Sequence, residues 1–214
     1  MGLTKINSGQ VRFQDPTSVV FIPWSEGAPG TDGYDIHDIV GDTFSLTQDD
    51  ADRTEIPWEF GDDPLDENIS LGNRNLTMQC LDYQDDIMAT LFGWDTETDG
   101  FSVAPSQYSE LFCTIVLRFS GIGKNIVMPK VKMDSKTAFE NLRTDIARGE
   151  LGGVLYSTPV KLGTASSLTE TGIFFAEDGK AFTVGATQSG STISGGTIVT
   201  LTADGGDITI AAAS

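Results

Sequence analysis

Nine carboxylates fall between positions 49 and 67: Asp49, Asp50, Asp52, Glu55, Glu59, Asp62, Asp63, Asp66 and Glu67. Acids at this density can hold calcium, act as a general acid/base pair, or work together as an electrostatic surface. Two charged loops, Gln48–Arg53 and Gly61–Glu67, are the candidates for the first chemistry. Neither has the alternating Asp/Asn spacing, central glycine and closing glutamate of a twelve-residue calcium loop, which leaves only an improvised site open. A glycosidase needs two carboxylates set apart from the rest, and no spacing here distinguishes such a pair. His37 is the single histidine and has no nucleophile beside it, so a surface or capping role is expected. Gly121–Lys124 lacks the further glycine and the Ser or Thr that a phosphate loop requires. With no nucleophile elbow, paired-histidine motif or dinucleotide fingerprint, the expectation is a non-enzyme without cofactor or metal.

Collective electrostatics remains, and the charge distribution develops it. The 214 residues carry 31 acids against 13 Lys and Arg, a formal charge of −18. Nineteen of those acids and only two bases, Arg53 and Arg74, lie between Asp32 and Gly100. Seven bases cluster from Arg118 to Arg148, among them Lys130, Lys132, Arg143 and Arg148. So negative a chain opposes ordinary nucleic-acid binding, which depends on basic residues displacing counterions. Two readings stand side by side. One is a solvated acidic surface; the other is head-to-tail complementarity between copies, the kind of contact that closes rings or extends filaments.

The elements that must position these charges are mostly strands. Twenty-four glycines, scarce lysine and a Gly/Ser/Thr-rich C-terminal third favour short strands and tight turns. From Glu55 to Phe60 the residues alternate, with Ile56, Trp58 and Phe60 on one face and Glu55, Pro57 and Glu59 on the other. Asp42–Cys80 therefore reads as a meander of three strands separated by the two acidic loops. A bulge or bend is expected at Gly72–Asn73, where the apolar parity switches. Residues 82–93 read as a short helix capped by Asp82, with Tyr83, Ile87 and Leu91 on one face and Gly93 ending it.

Tyr108–Ser120 and Asn125–Met133 form a hairpin whose second strand carries Lys130 and Lys132 on one face, with Pro129 suggesting an edge. Asp134–Gly149 fits either a helix through Phe139, Leu142 and Ile146 or a loop and strand. Residues 1–163 are expected to form a β domain with an N-terminal arm, and 164–214 a small β extension or C-terminal arm. Cys80 and Cys113 are expected as buried reduced thiols, with a disulfide as the alternative. No signal peptide opens the chain and no stretch is long enough to span a membrane, so no membrane insertion is expected.

The order of these parts carries a resemblance. A Ser45–Thr47 strand, an acidic loop, a glutamate-bearing strand, a second acidic loop, the Leu71–Arg74 strand and a capped helix ending in Gly93–Trp94 resemble the tail tube proteins of tailed bacteriophages. The return strand Val127–Lys132 also sits where that family has one. The similarity covers residues 40 to 162 through soft patterns, and departs at the N-terminal prolines and the C-terminal tail. It implies a mainly β sandwich or half-barrel with one flanking helix, strands joining a ring-spanning inner barrel on assembly, and hexameric rings stacked into a tube that conducts DNA. Implied partners are further copies of the chain, the tail initiator, tape-measure and terminator proteins, and DNA in transit, all within a virion. The nine acids would line the lumen or the ring contacts, with Lys130, Lys132, Arg143 and Arg148 as their complement. Rival readings are another tail or decoration component, such as a terminator, or a β-sandwich adhesion module.

Overall fold

The computed structural model describes residues 16–37, 39, 43–50, 52–56, 66–70, 72–80, 85–96, 102–103, 110–119, 123–138, 148–202 and 207–213. The chain opens with β1 (Ser18–Ser25), β2 (Ala28–Pro29) and β3 (Tyr34–Ile36). The acidic region holds β4 (Ser45–Gln48), β5 (Asp52–Ile56), β6 (Asp66–Ser70) and β7 (Arg74–Cys80). Helix α1 (Asp85–Phe92) and a small pair, β8 (Asp95–Thr96) and β9 (Ser102–Val103), lead to the long strands β10 (Leu111–Arg118), β11 (Lys124–Ala138) and β12 (Arg148–Leu155). The remainder is β13 (Thr158–Leu162), β14 (Thr169–Thr171), β15 (Phe174–Glu177), β16 (Ala181–Val184), β17 (Thr187–Ser189), β18 (Thr192–Ser194), β19 (Thr197–Thr200) and β20 (Thr209–Ala212). The fold is mainly β, with one helix among the described residues and antiparallel sheets.

Nine strands build the main sheet in the order β2-β1-β10-β11-β12-β7-β4, with β3 added to β1 and β15 to β11. This sheet curls. β3 pairs with β1, Ile39 bridges Cys80 of β7, and β4 pairs with Arg74–Thr77 of the same strand. Residues drawn from one segment, 34–48, thus tie together strands from opposite ends of the order and give a half-barrel. Its concave side holds the first core, including Phe21, Ile36, Leu76, Met78, Ile115, Leu117, Met128 and Leu151. Helix α1 closes over that core with Ile87, Met88, Leu91 and Phe92. Gly93, at φ 69°, ends the helix as the glycine there predicts. The helix begins at Asp85; residues 81–84, with the expected cap Asp82, lie outside the described residues.

A five-stranded sheet, β14-β13-β16-β19-β20, covers the convex side of β1, β10 and β11 around Val20, Ile22, Val116 and Val127. Val20, Ile22, Val116 and Val127 meet Val160, Phe182, Val184, Val199 and Leu201 in a second core. Double coverage explains the apolar runs Val19–Ile22 and Ile115–Leu117, because those positions have a hydrophobic layer on either side. β7 is covered on one side only and keeps clean alternation, with Leu76, Met78 and Cys80 buried.

Pro129 corrects one expectation. A proline in a strand suggests an edge, yet β11 is interior, flanked by β10 on one side and by β15 and β12 on the other. The ladder to β10 shifts register between Cys113 and Ile115, and β15 stops at Val127 while β12 starts at Val131. Proline is tolerated because its missing N–H falls at this irregularity. The Asp134–Gly149 segment is likewise decided at its ends, as strand: β11 runs to Ala138 and β12 starts at Arg148. Residues 139–147 lie outside the described residues. The connection after α1 contains the short β8–β9 pair.

Thr114 secures the shifted register. Its hydroxyl is fully buried, donates to the Pro129 carbonyl at 2.7 Å and accepts from the Trp24 indole N–H at 3.0 Å. Thr114→Val keeps the shape and strands both partners, so a loss of about 1–3 kcal/mol is expected. Urea unfolding reads it; a midpoint equal to the parent's would show that these bonds contribute nothing net.

Candidate functional site

The acidic strands do not form a meander. β4 pairs with β7, and β5 pairs with β6, so one hairpin is nested on the other. Gln48 opposes Arg74 and Asp52 opposes Ser70, four residues further along each strand, so both ladders belong to a single register. The result is one long two-stranded arm running out from the end of the main sheet. Its ladder breaks at the expected Gly72–Asn73 position. The Asp49 amide donates to the Asn73 carbonyl at 2.8 Å, and a Cβ on Gly72 would collide with the Asp49 carbonyl oxygen. Only glycine fits so close an approach.

The proposed site acids divide accordingly. Asp49 and Asp50 sit exposed at the break, and Asn75 Nδ2 donates to Asp49 Oδ1 at 3.1 Å. Asp52 and Arg53, expected in a loop, open β5; Asp66 and Glu67, expected in the second loop, open β6. The register sets Glu55 opposite Glu67 and Ile56 opposite Asp66. Like charges directly opposed across strands weaken a hairpin by up to about 1 kcal/mol. Glu59, Asp62 and Asp63 lie outside the described residues, as do Trp58 and Phe60 of the proposed apolar face.

Among the bases, Lys130 and Lys132 do share the convex face of β11 while Val131 and Met133 point into the first core. Lys132 Nζ pairs with Glu110 Oε1 at 2.5 Å. Lys130 Nζ lies 4.7 Å from the Trp24 ring centroid and 4.8 Å from that of Phe112, gripped between two aromatic faces. Tyr156, 44% exposed, meets Phe112 edge-on at 6.0 Å. Phe112 is the cross-strand partner of Lys132, yet it is Lys130 that its ring faces. Arg148 is the first residue of β12, opposite Ala138, and Arg143 lies outside the described residues.

The uncovered convex face of β12 and β7 is polar. A groove of about 540 Å³ there is lined by Thr43, Thr77, Gln79, Asp134, Glu150 and Gly152 among others. His37 is exposed and lies 3.4 Å from Asp35, whose carboxylate also meets Arg118 at 3.7 Å. Cys80 and Cys113 are buried and free, and burial pushes the Cys113 thiol up to about 12. Among the described residues no group of three His, Cys, Asp or Glu side chains is placed to hold a metal, and no helix is long and apolar enough to cross a membrane. No family model and no curated protein matches the chain.

Proposed function

We propose that this chain is a structural subunit of a phage tail: six copies close a ring, and stacked rings form the tube through which DNA leaves the capsid. The observation that carries the reading is the free edge of β4. Among the described residues its Ser-Leu-Thr-Gln strand pairs with β7 on one side only, and the same edge continues along β5 of the arm. Natural sheets blunt long edges with charge, proline, bulges or covering segments; the β4 stretch itself carries neither charge nor proline, while its continuation in β5 bears Asp52, Arg53 and Glu55. Pairing that edge with a neighbouring copy would bury the unpaired backbone groups and carry each half-barrel into a ring-spanning one. Acids borne on strands and arms, repeated around a ring, suit a conduit whose wall must repel its polyanionic cargo.

The reading is non-catalytic, with self-assembly as the chemistry and virion tail proteins as the further partners. Negative-stain microscopy of concentrated protein, alone and seeded with a tail initiator complex, tests it. Stacked rings with a central hole are expected. Monomers that persist in both conditions would overturn the tube, and rings that cap preformed tubes without growing would make the chain a terminator.

A further inference from the structure

We infer that the Lys130 clasp is the docking point for the acidic arm of a second copy of this chain, an inference that rests on the stacked-ring reading above. In a chain with 31 acids and 13 Lys and Arg, a held ammonium without a carboxylate is unusual. Lys132, two residues along, has Glu110; among the described residues no carboxylate pairs with Lys130. The clasp is also built in advance. Trp24 is fixed by its indole N–H bond to buried Thr114, and Phe112 is backed by Tyr156. Aromatic faces hold a cation without neutralising it and screen its flanks from water. The remaining N–H donors of the ammonium stay free for an incoming anion, and a partly desolvated charge attracts one more strongly than an exposed charge does.

Charge complementarity selects the occupant. The arm holds Asp49 and Asp50 exposed at its base, within the most acidic part of the chain. These cannot be reached readily within one copy. Lys130 lies beside Tyr156, Leu155 opposes Arg74, and Arg74 opposes Gln48, so clasp and arm base occupy the two ends of one row across β11, β12, β7 and β4. Three strand spacings, about 14 Å, separate them. A donor at one end of a row and its acceptor at the other make a heterologous contact, which propagates from copy to copy and can close a ring. Free DNA is the less favoured anion, since a chain of charge −18 repels it.

Charge reversal with compensation tests the inference, with polymerisation followed by sedimentation velocity and microscopy. Lys130→Glu should raise the concentration needed for half assembly by at least about tenfold, because like charges meet across the contact. Lys130→Gln should act in the same direction but less; it keeps the test decisive if the glutamate variant melts early. Asp49→Lys with Asp50→Lys should impair assembly alike, and combining it with Lys130→Glu should restore it. Wild-type assembly by Lys130→Glu, absence of rescue in the combined variant, or an effect confined to DNA retention would overturn the docking point while leaving the ring reading in place. A parent protein that never forms rings would remove that reading itself.

Discussion

Tubes built from a Glu55→Lys/Glu59→Lys variant are expected to release DNA at least about tenfold more slowly at low salt, because each lysine on a lumen wall invites a phosphate to displace counterions. Retention should weaken with the logarithm of salt at a slope of about −0.9 per phosphate engaged. Six copies per ring, in the proposed assembly, multiply the effect down the tube. The substitution at position 55 is also favourable locally. Glu55 stands opposite Glu67 in the arm, so a lysine there replaces a like-charge pair with an opposite-charge one, worth about 0.2–1 kcal/mol. Tube formation should therefore survive. The salt dependence separates electrostatic drag from structural damage, which would slow release at every ionic strength. Release kinetics indistinguishable from the parent's across the salt series would place these two positions away from the DNA path.

The arm also shows where sequence reasoning reached and where it stopped. Period-two alternation states which residues share a face and says nothing of which strand lies alongside. β4, β5, β6 and β7 were all recognisable as strand-forming stretches, yet a meander and a nested hairpin place the same residues on the same faces. Strand pairing decides between them: β4–β7 and β5–β6 share one register, with Gly72 passing close to the Asp49 carbonyl between the two ladders. The continuous apolar runs of β1 and β10 were legible as buried strands. That two separate layers cover them could not be read locally, because the covering residues Val160, Phe182 and Val199 come from strands of ordinary small-residue composition.

Pro129 misled for a related reason. A missing N–H argues for an edge only in a regular ladder, and a register shift supplies the same freedom inside the sheet. The Lys130 clasp escaped because it joins Trp24 and Phe112, which are remote in sequence and meet only once β1 pairs with β10. Charge counting had found the basic segment without showing which base was paired and which was held.

Phe182→Ala is the substitution expected to cost most stability, and it asks whether the C-terminal sheet is part of the body or an appendage to it. Phe182 is 2% exposed, meets Phe174 edge-on at 5.1 Å and lies in the second core against strands of the main sheet. Removing a buried phenylalanine costs about 3–5 kcal/mol. For a chain of this size each kcal/mol shifts the melting midpoint by about 2–4 °C, so a fall on the order of 10 °C is expected. Its form matters more than its size. β15 is hydrogen-bonded to β11, Thr197 donates its hydroxyl to the Pro29 carbonyl, and Val20, Ile22, Val116 and Val127 would be bared if the sheet left. The layers should therefore melt together, in one calorimetric transition displaced as a whole. An appendage would instead give two transitions in the variant, the earlier one shifted and the later one unmoved, and in that case the barrel strands would need another partner to cover their convex side.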